Sequence, residues 1–81
     1  MNTNKNTQTL IEYLLAVQTP QAMETALKAL LTPAELSEIS NRLQIIKLLE
    51  AGESQRRIAE QLGVGIATVS RGARALKDLQ E

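Results

Sequence analysis

Residues Ser54–Lys77 read SQRRIAEQLGVGIATVSRGARALK, and their spacing decides the fold. They read as a helix-turn-helix: two short helices, about 55–62 and 66–79, joined by a tight turn. Ser54 can cap the first helix, because its hydroxyl accepts an orphan backbone N–H. Ile58 and Leu62 lie one turn apart and give that helix an apolar stripe. Ala59 falls where the two helices should cross, and its small side chain lets the backbones approach. Gly63 comes where the chain needs a left-handed residue to leave the helix, a conformation glycine takes without steric cost. Val64 can plug the corner, and Ile66 and Val69 are expected to turn inward from the second helix. The outward side of that helix carries Thr68, Ser70, Arg71 and Arg74. Arginine suits forked bonding to guanine or phosphate, and hydroxyls suit phosphate oxygens or base edges. The expectation is a head that enters a DNA major groove. The alternative is a pair of surface helices with an ordinary solvated face.

The charge pattern sharpens this reading. The 81-residue chain carries nine Lys and Arg against nine Asp and Glu, so its formal net charge is zero. The distribution is uneven. From Ser54 to Lys77 the cations are Arg56, Arg57, Arg71, Arg74 and Lys77, against the single acid Glu60. Acids outnumber bases before Ser54 and again after Lys77. The positive field is therefore local, as a nucleic-acid footprint requires, and a dimer would double it. Gln55, Arg56 and Arg57 fall at the start of the first motif helix, where backbone N–H groups also favour phosphate.

Composition limits the alternatives. Apolar residues make up 43% of the chain, but Tyr13 is its only aromatic. Leu, Ile, Val and Ala must fill the interior, which suits close helix packing. So short a chain would be marginal as a monomer, and association with a second copy is expected. There is no Cys and no His, which removes disulfides, thiolate metal sites and the commonest general base. No carboxylate pair stands out, so neither an enzyme nor a metal site is expected, and there are no candidate catalytic residues. No apolar run approaches the roughly 18 residues of a bilayer span, and the polar start MNTNKNTQ is no secretory signal. A cytoplasmic protein is the expectation, with no membrane partner.

The rest of the chain reads as helices. Residues 1–8 are expected to be a disordered tail, and residues 9–81 a single helical domain. Leu10, Ile11, Leu14, Leu15 and Val17 predict a helix over 9–18, apolar on more than one side and in need of a partner. Thr19-Pro20 opens a helix over 20–31, with Ala22, Met23, Ala26, Leu27, Leu30 and Leu31 on its apolar face. Thr32-Pro33-Ala34-Glu35 is a capping box opening a long helix over 33–51. Its stripe is Leu36, Ile39, Leu43 and Ile46, widened by Leu48 and Leu49, and Gly52 ends it. The class is all-α, with five helices and no strand pattern. Gly72 breaks the pattern, since glycine inside a helix costs about 1 kcal/mol relative to Ala. Either something approaches the backbone there (DNA, a ligand or another helix) or the glycine is merely tolerated. Arg42 is also odd, a cation between Ile39 and Leu43 on a largely apolar helix.

The stretch LTPAELSEISNRLQIIKLLEAGESQRRIAEQLGVGIATVSRGARALK resembles the tryptophan repressor family of bacteria. The match runs from about Leu30 to Lys77. Its most specific pieces are LTP-x-E, Arg42, SQR and GIAT-V-S-RG. The resemblance implies an intertwined homodimer in which N-terminal helices interlock and two reading heads project onto a double-stranded DNA operator. It implies a transcriptional repressor with L-tryptophan, or a related small molecule, as corepressor rather than a resident cofactor. In that reading Arg42 and Arg71 sandwich the indole, Thr32 lies at the ligand's polar end, and Gly72 lies beside the ligand. Guanidinium planes suit both indole stacking and carboxylate pairing. The sequence departs from the family at Ala75, where a serine hydroxyl is usual. Its link before the motif is one residue shorter, and it ends where a further helix usually follows. For Arg42 the alternative is a stem packed on the core with its head in an inter-chain salt bridge. For the whole chain the alternative is an effector-independent helix-turn-helix module within a larger DNA-associated assembly.

Overall fold

Side-chain oxygens set four of the five helix starts. In the computed structural model, which describes residues 4–80, the helices are α1 (Lys5–Leu15), α2 (Pro20–Leu30), α3 (Pro33–Glu50), α4 (Gln55–Leu62) and α5 (Ile66–Gln80). Asn4, Thr19 and Ser54 cap α1, α2 and α4 by accepting from the backbone N–H groups of Thr7, Ala22 and Arg57 at 2.8, 3.0 and 3.2 Å. Each such cap contributes about 1 kcal/mol. Thr32 and Glu35 form the reciprocal box at the start of α3: Glu35 N–H donates to the Thr32 hydroxyl at 3.1 Å, and Thr32 N–H to the Glu35 carboxylate at 2.8 Å. No strand occurs among the described residues. The all-α class is as expected.

The chain divides into two compact units, one up to Leu36 and one from Ser37. In the first unit, α1 starts earlier and ends earlier than the expected 9–18. The expected tail over 1–8 is corrected for Lys5–Gln8, which are helical; residues 1–3 lie outside the described residues. The physical reason is the Asn4 cap, which starts the helix before the apolar periodicity begins at Leu10. At the other end, Thr19 precedes a proline and is extended (φ −128°, ψ 153°), so the chain must leave the helix before it. Leu31 is likewise extended before Thr32-Pro33, which ends α2 at Leu30 instead of 31. Ala26 is buried in α2, with Met23 and Leu27 half-buried. Leu10, Ile11, Tyr13, Leu15 and Leu30 remain exposed in this chain taken alone. On the surface of α2, Lys28 pairs with Glu24 at 2.9 Å, and its hydrogen bond and charge hold that carboxyl below the usual range.

The second unit is built on the C-terminal part of α3 with α4 and α5. Ile45, Ile58 and Val69, one from each helix, are essentially inaccessible and form its centre. Burial of each such side chain stabilises by about 1.5–3 kcal/mol. Leu48, Leu49, Ala59, Leu62 and Val64 pack around them. The stripe expected on α3 is corrected: Ile45 is the buried position, while Ile39 and Leu43 are about half exposed at 50% and 51%. This helix is apolar on several sides, so periodicity alone did not choose the inward one. It ends one residue before the expected Ala51. Gly52, at φ 95°, donates to Leu49 O at 3.0 Å while Glu53 N–H donates to Leu48 O at 3.1 Å. That is the Schellman arrangement, which satisfies carbonyls the helix leaves open. No helix among the described residues is long and apolar enough to cross a membrane.

Candidate DNA-reading head and ligand cleft

The turn between α4 and α5 is fixed by backbone chemistry. Gly63 adopts the left-handed conformation (φ 68°, ψ 36°), and Val64 N–H donates to Ala59 O at 3.1 Å. The carbonyl of Gly65 then accepts from Thr68 N–H at 3.1 Å, starting α5. Ala59 is partly buried against the core, as its small size predicted.

The face that α5 buries passes through Val69, Gly72 and Leu76, the first two buried and the third half-buried. Ile66 does not join it. It is 53% exposed at the first position of the helix, which corrects the inward role expected for it. The approach at Gly72 is explained by another helix. A Cβ built there would run into Cγ2 of Ile45 and lie 3.3 Å from its Cβ. Glycine at 72 is what lets α5 close onto α3.

The polar groups of the head lie outside this packing. Gln55, Arg56, Arg57, Ser70, Arg71 and Arg74 are exposed, and Thr68 is half-buried. Ser70 Oγ donates to Gln55 Oε1 at 2.9 Å, which brings the outer faces of α4 and α5 together. Arg57 is 3.5 Å from Glu53, one turn before it, so this cation is partly neutralised. Lys77 is exposed further along α5 and extends the cationic face past Arg74.

Beside the head is a cleft of about 240 Å³, lined by Glu38, Asn41, Arg42 and Ile45 of α3, Val64 of the turn, and Thr68 and Arg71 of α5. It brings together the two arginines singled out in the sequence. Arg71 Nη2 donates to the Thr68 hydroxyl at 3.4 Å. Ile45 and Val64 supply apolar walls and Glu38 an acid, so the cleft has opposite charges over an apolar surface. Its volume lies below the roughly 300–1,000 Å³ of drug-sized pockets and suits a single small metabolite. Gly72, although next to Arg71, is packed on Ile45 and does not line the cleft. Thr32 lies in the first unit, where its hydroxyl and N–H are both used by the capping box. Sequence reasoning missed Glu38 and Asn41. Their spacing of four and one from Arg42 was the available signal, since 38, 42 and 45 share one helical face. Among the described residues no group of His, Cys, Asp and Glu is arranged to hold a metal.

An all-α chain with a cationic helix-turn-helix head and a cleft beside it has the arrangement of a regulator. The family described as Trp repressor protein matches residues 5–81. The chain belongs to that family, and is accordingly a regulator of the Trp-repressor type and not an enzyme. It is 40% identical over 75 residues to the "Trp operon repressor homolog" of Vibrio parahaemolyticus serotype O3:K6, covering 91% of this chain and 73% of that one. The protein of the same description from Vibrio cholerae serotype O1 is 46% identical over 67 residues, 82% of this chain and 64% of the relative. That of Xylella fastidiosa strain M23 is 36% identical over 70 residues, 85% and 76% of the two chains. No solved structure matches the chain significantly.

Proposed function

We propose that the protein is a cytoplasmic, sequence-specific DNA-binding repressor that acts as a homodimer. L-Tryptophan, or a related small molecule, acts as corepressor. The observation that carries this reading is the exposed head. Arg56, Arg57, Arg71, Arg74 and Lys77 are all solvent-facing on α4 and α5, around a turn whose glycine geometry and buried core hold the helices rigidly. The N-terminal turns of α5 enter a major groove, while Gln55, Arg56 and Arg57 hold flanking phosphates. Thr68, Ser70, Arg71 and Arg74 are the groups that α5 brings to the duplex.

The dimer is supported by the apolar side chains this chain leaves open: Leu10, Ile11, Leu15 and Leu30 in the first unit, and Ile39 and Leu43 on α3. So much exposed aliphatic surface in so short a chain favours association with a second copy. The corepressor reading is supported by the cleft, where Arg42 and Arg71 can stack on a flat apolar ring and pair with a carboxylate. Thr32 and Gly72 enter the ligand site in this proposal through the family resemblance alone.

The test is selection of bound duplexes from a random pool, with and without L-tryptophan. The expected result is a two-fold symmetric site with half-sites about 10 base pairs apart, enriched more strongly with the ligand. Recovery of an asymmetric site, or of none, contradicts the proposal. Enrichment indifferent to L-tryptophan contradicts its corepressor part alone.

A further inference from the structure

We infer that Ser70 reads an amino group on a base edge, and not a phosphate, because Gln55 holds its only proton. The inference rests on the DNA-binding reading above and narrows what that face recognises. A serine hydroxyl has one donor and two acceptor lone pairs. Ser70 Oγ donates to Gln55 Oε1 at 2.9 Å across the motif, from α5 to α4. Both residues are exposed, so the remaining lone pairs of Ser70 are accessible to a donor from outside the protein. A phosphate oxygen only accepts, so a hydroxyl held this way offers it nothing. An N–H donor is what fits.

In the major groove the base-edge donors are adenine N6 and cytosine N4, while guanine O6 and N7 and thymine O4 accept. Ser70 is the fifth residue of α5, within the N-terminal part through which recognition helices reach base edges. Gln55 keeps both amide protons, since only its carbonyl oxygen is engaged. It can donate those to a phosphate. The pair therefore divides the work: Gln55 positions the head on the backbone and fixes the polarity of Ser70, and Ser70 discriminates between bases.

The test uses the full chain, the site recovered from the random pool, and duplexes carrying every single-base change in one half-site. For the unaltered protein, one position should favour adenine or cytosine over guanine or thymine by roughly three- to tenfold, the value of one ordinary hydrogen bond. Ser70→Ala should flatten that position and leave the others unchanged. Gln55→Glu retains an acceptor for the serine proton but loses the amide donors. It should weaken every sequence alike and keep the preference. Gln55→Ala releases the proton and should bring the preference to within about twofold. Circular dichroism checks that each variant is folded. If Ser70→Ala weakens all duplexes equally, Ser70 is a phosphate contact and the inference is wrong. Loss of the preference in Gln55→Glu would overturn it as well. If the unaltered chain retains no duplex at all, the DNA-binding reading itself fails, and this inference with it.

Discussion

Gly72→Ala pits two effects of similar size against each other, and the structure decides between them. Alanine inside a helix is favoured over glycine by about 1 kcal/mol. At a solvated position the change would therefore stabilise α5. Gly72 is not solvated: its α-carbon faces Ile45, whose side chain is only 1% exposed and lies at the centre of the second unit. An added methyl meets Cγ2 of that residue, and Ile45 cannot yield without moving against Ile58 and Val69. Overpacking of this kind costs about 1–3 kcal/mol. The expected net change is a loss of up to about 2 kcal/mol, and each kcal/mol lost lowers Tm by about 4–8 °C for a chain of this size. Thermal melts followed by far-UV circular dichroism, at one fixed protein concentration, would measure it. Ile45→Leu in the same background removes Cγ2 while nearly conserving volume, and should recover at least half of the loss. A Gly72→Ala protein that melts higher than the original would refute the reasoning, because it would mean that α3 and α5 are not in contact at this point.

Other outcomes follow from the same geometry. Gly63→Ala forces a side chain into the left-handed region at φ 68° and should cost about 1–2 kcal/mol in urea unfolding; an unchanged midpoint would contradict the turn geometry. Ser54→Ala removes the cap on Arg57 N–H and should cost about 1 kcal/mol by the same measurement. Arg74→Ala should weaken all duplexes nearly alike and make the salt dependence shallower by about 0.9 in slope. A selective loss on one base pair would show that Arg74 reads sequence instead. Arg42→Ala should abolish the calorimetric heat of L-tryptophan binding while leaving helix content unchanged, and full binding by this variant would remove the cleft as the ligand site.

Local signals carried most of the fold. Capping residues and prolines placed the starts of α2, α3 and α4 to the residue, because each depends on a bond within one turn of chain. Gly52 and Gly63 marked the helix ends for the same reason. What was not legible depends on distant partners. Ile39, Leu43, Ile45 and Ile46 are similar in hydropathy, and only contact with α4 and α5 selects Ile45 as the buried one. Asn4 carries no such signal, since the helix it caps opens with polar residues. Gly72 fits a helix poorly by itself, but its neighbour Ile45 is 27 residues away in the chain and no local pattern points to it. Among the site residues, Arg42 and Arg71 stood out and do share a cleft. Glu38 and Asn41 did not, because polar residues on an exposed helical face carry no signal until a neighbouring helix closes over them.

Repression of the proposed kind requires the cationic head to engage a polyanion. Its most direct test is the equilibrium constant for a duplex containing the selected site, measured by fluorescence anisotropy over a series of salt concentrations. With about 0.9 unit of slope per phosphate neutralised, Arg56, Arg57, Arg71, Arg74 and Lys77 predict a log–log slope of up to about −4.5 for one head and about −9 for the two heads of a dimer. Affinity that stays flat with salt, or no binding at the lowest salt used, would contradict it.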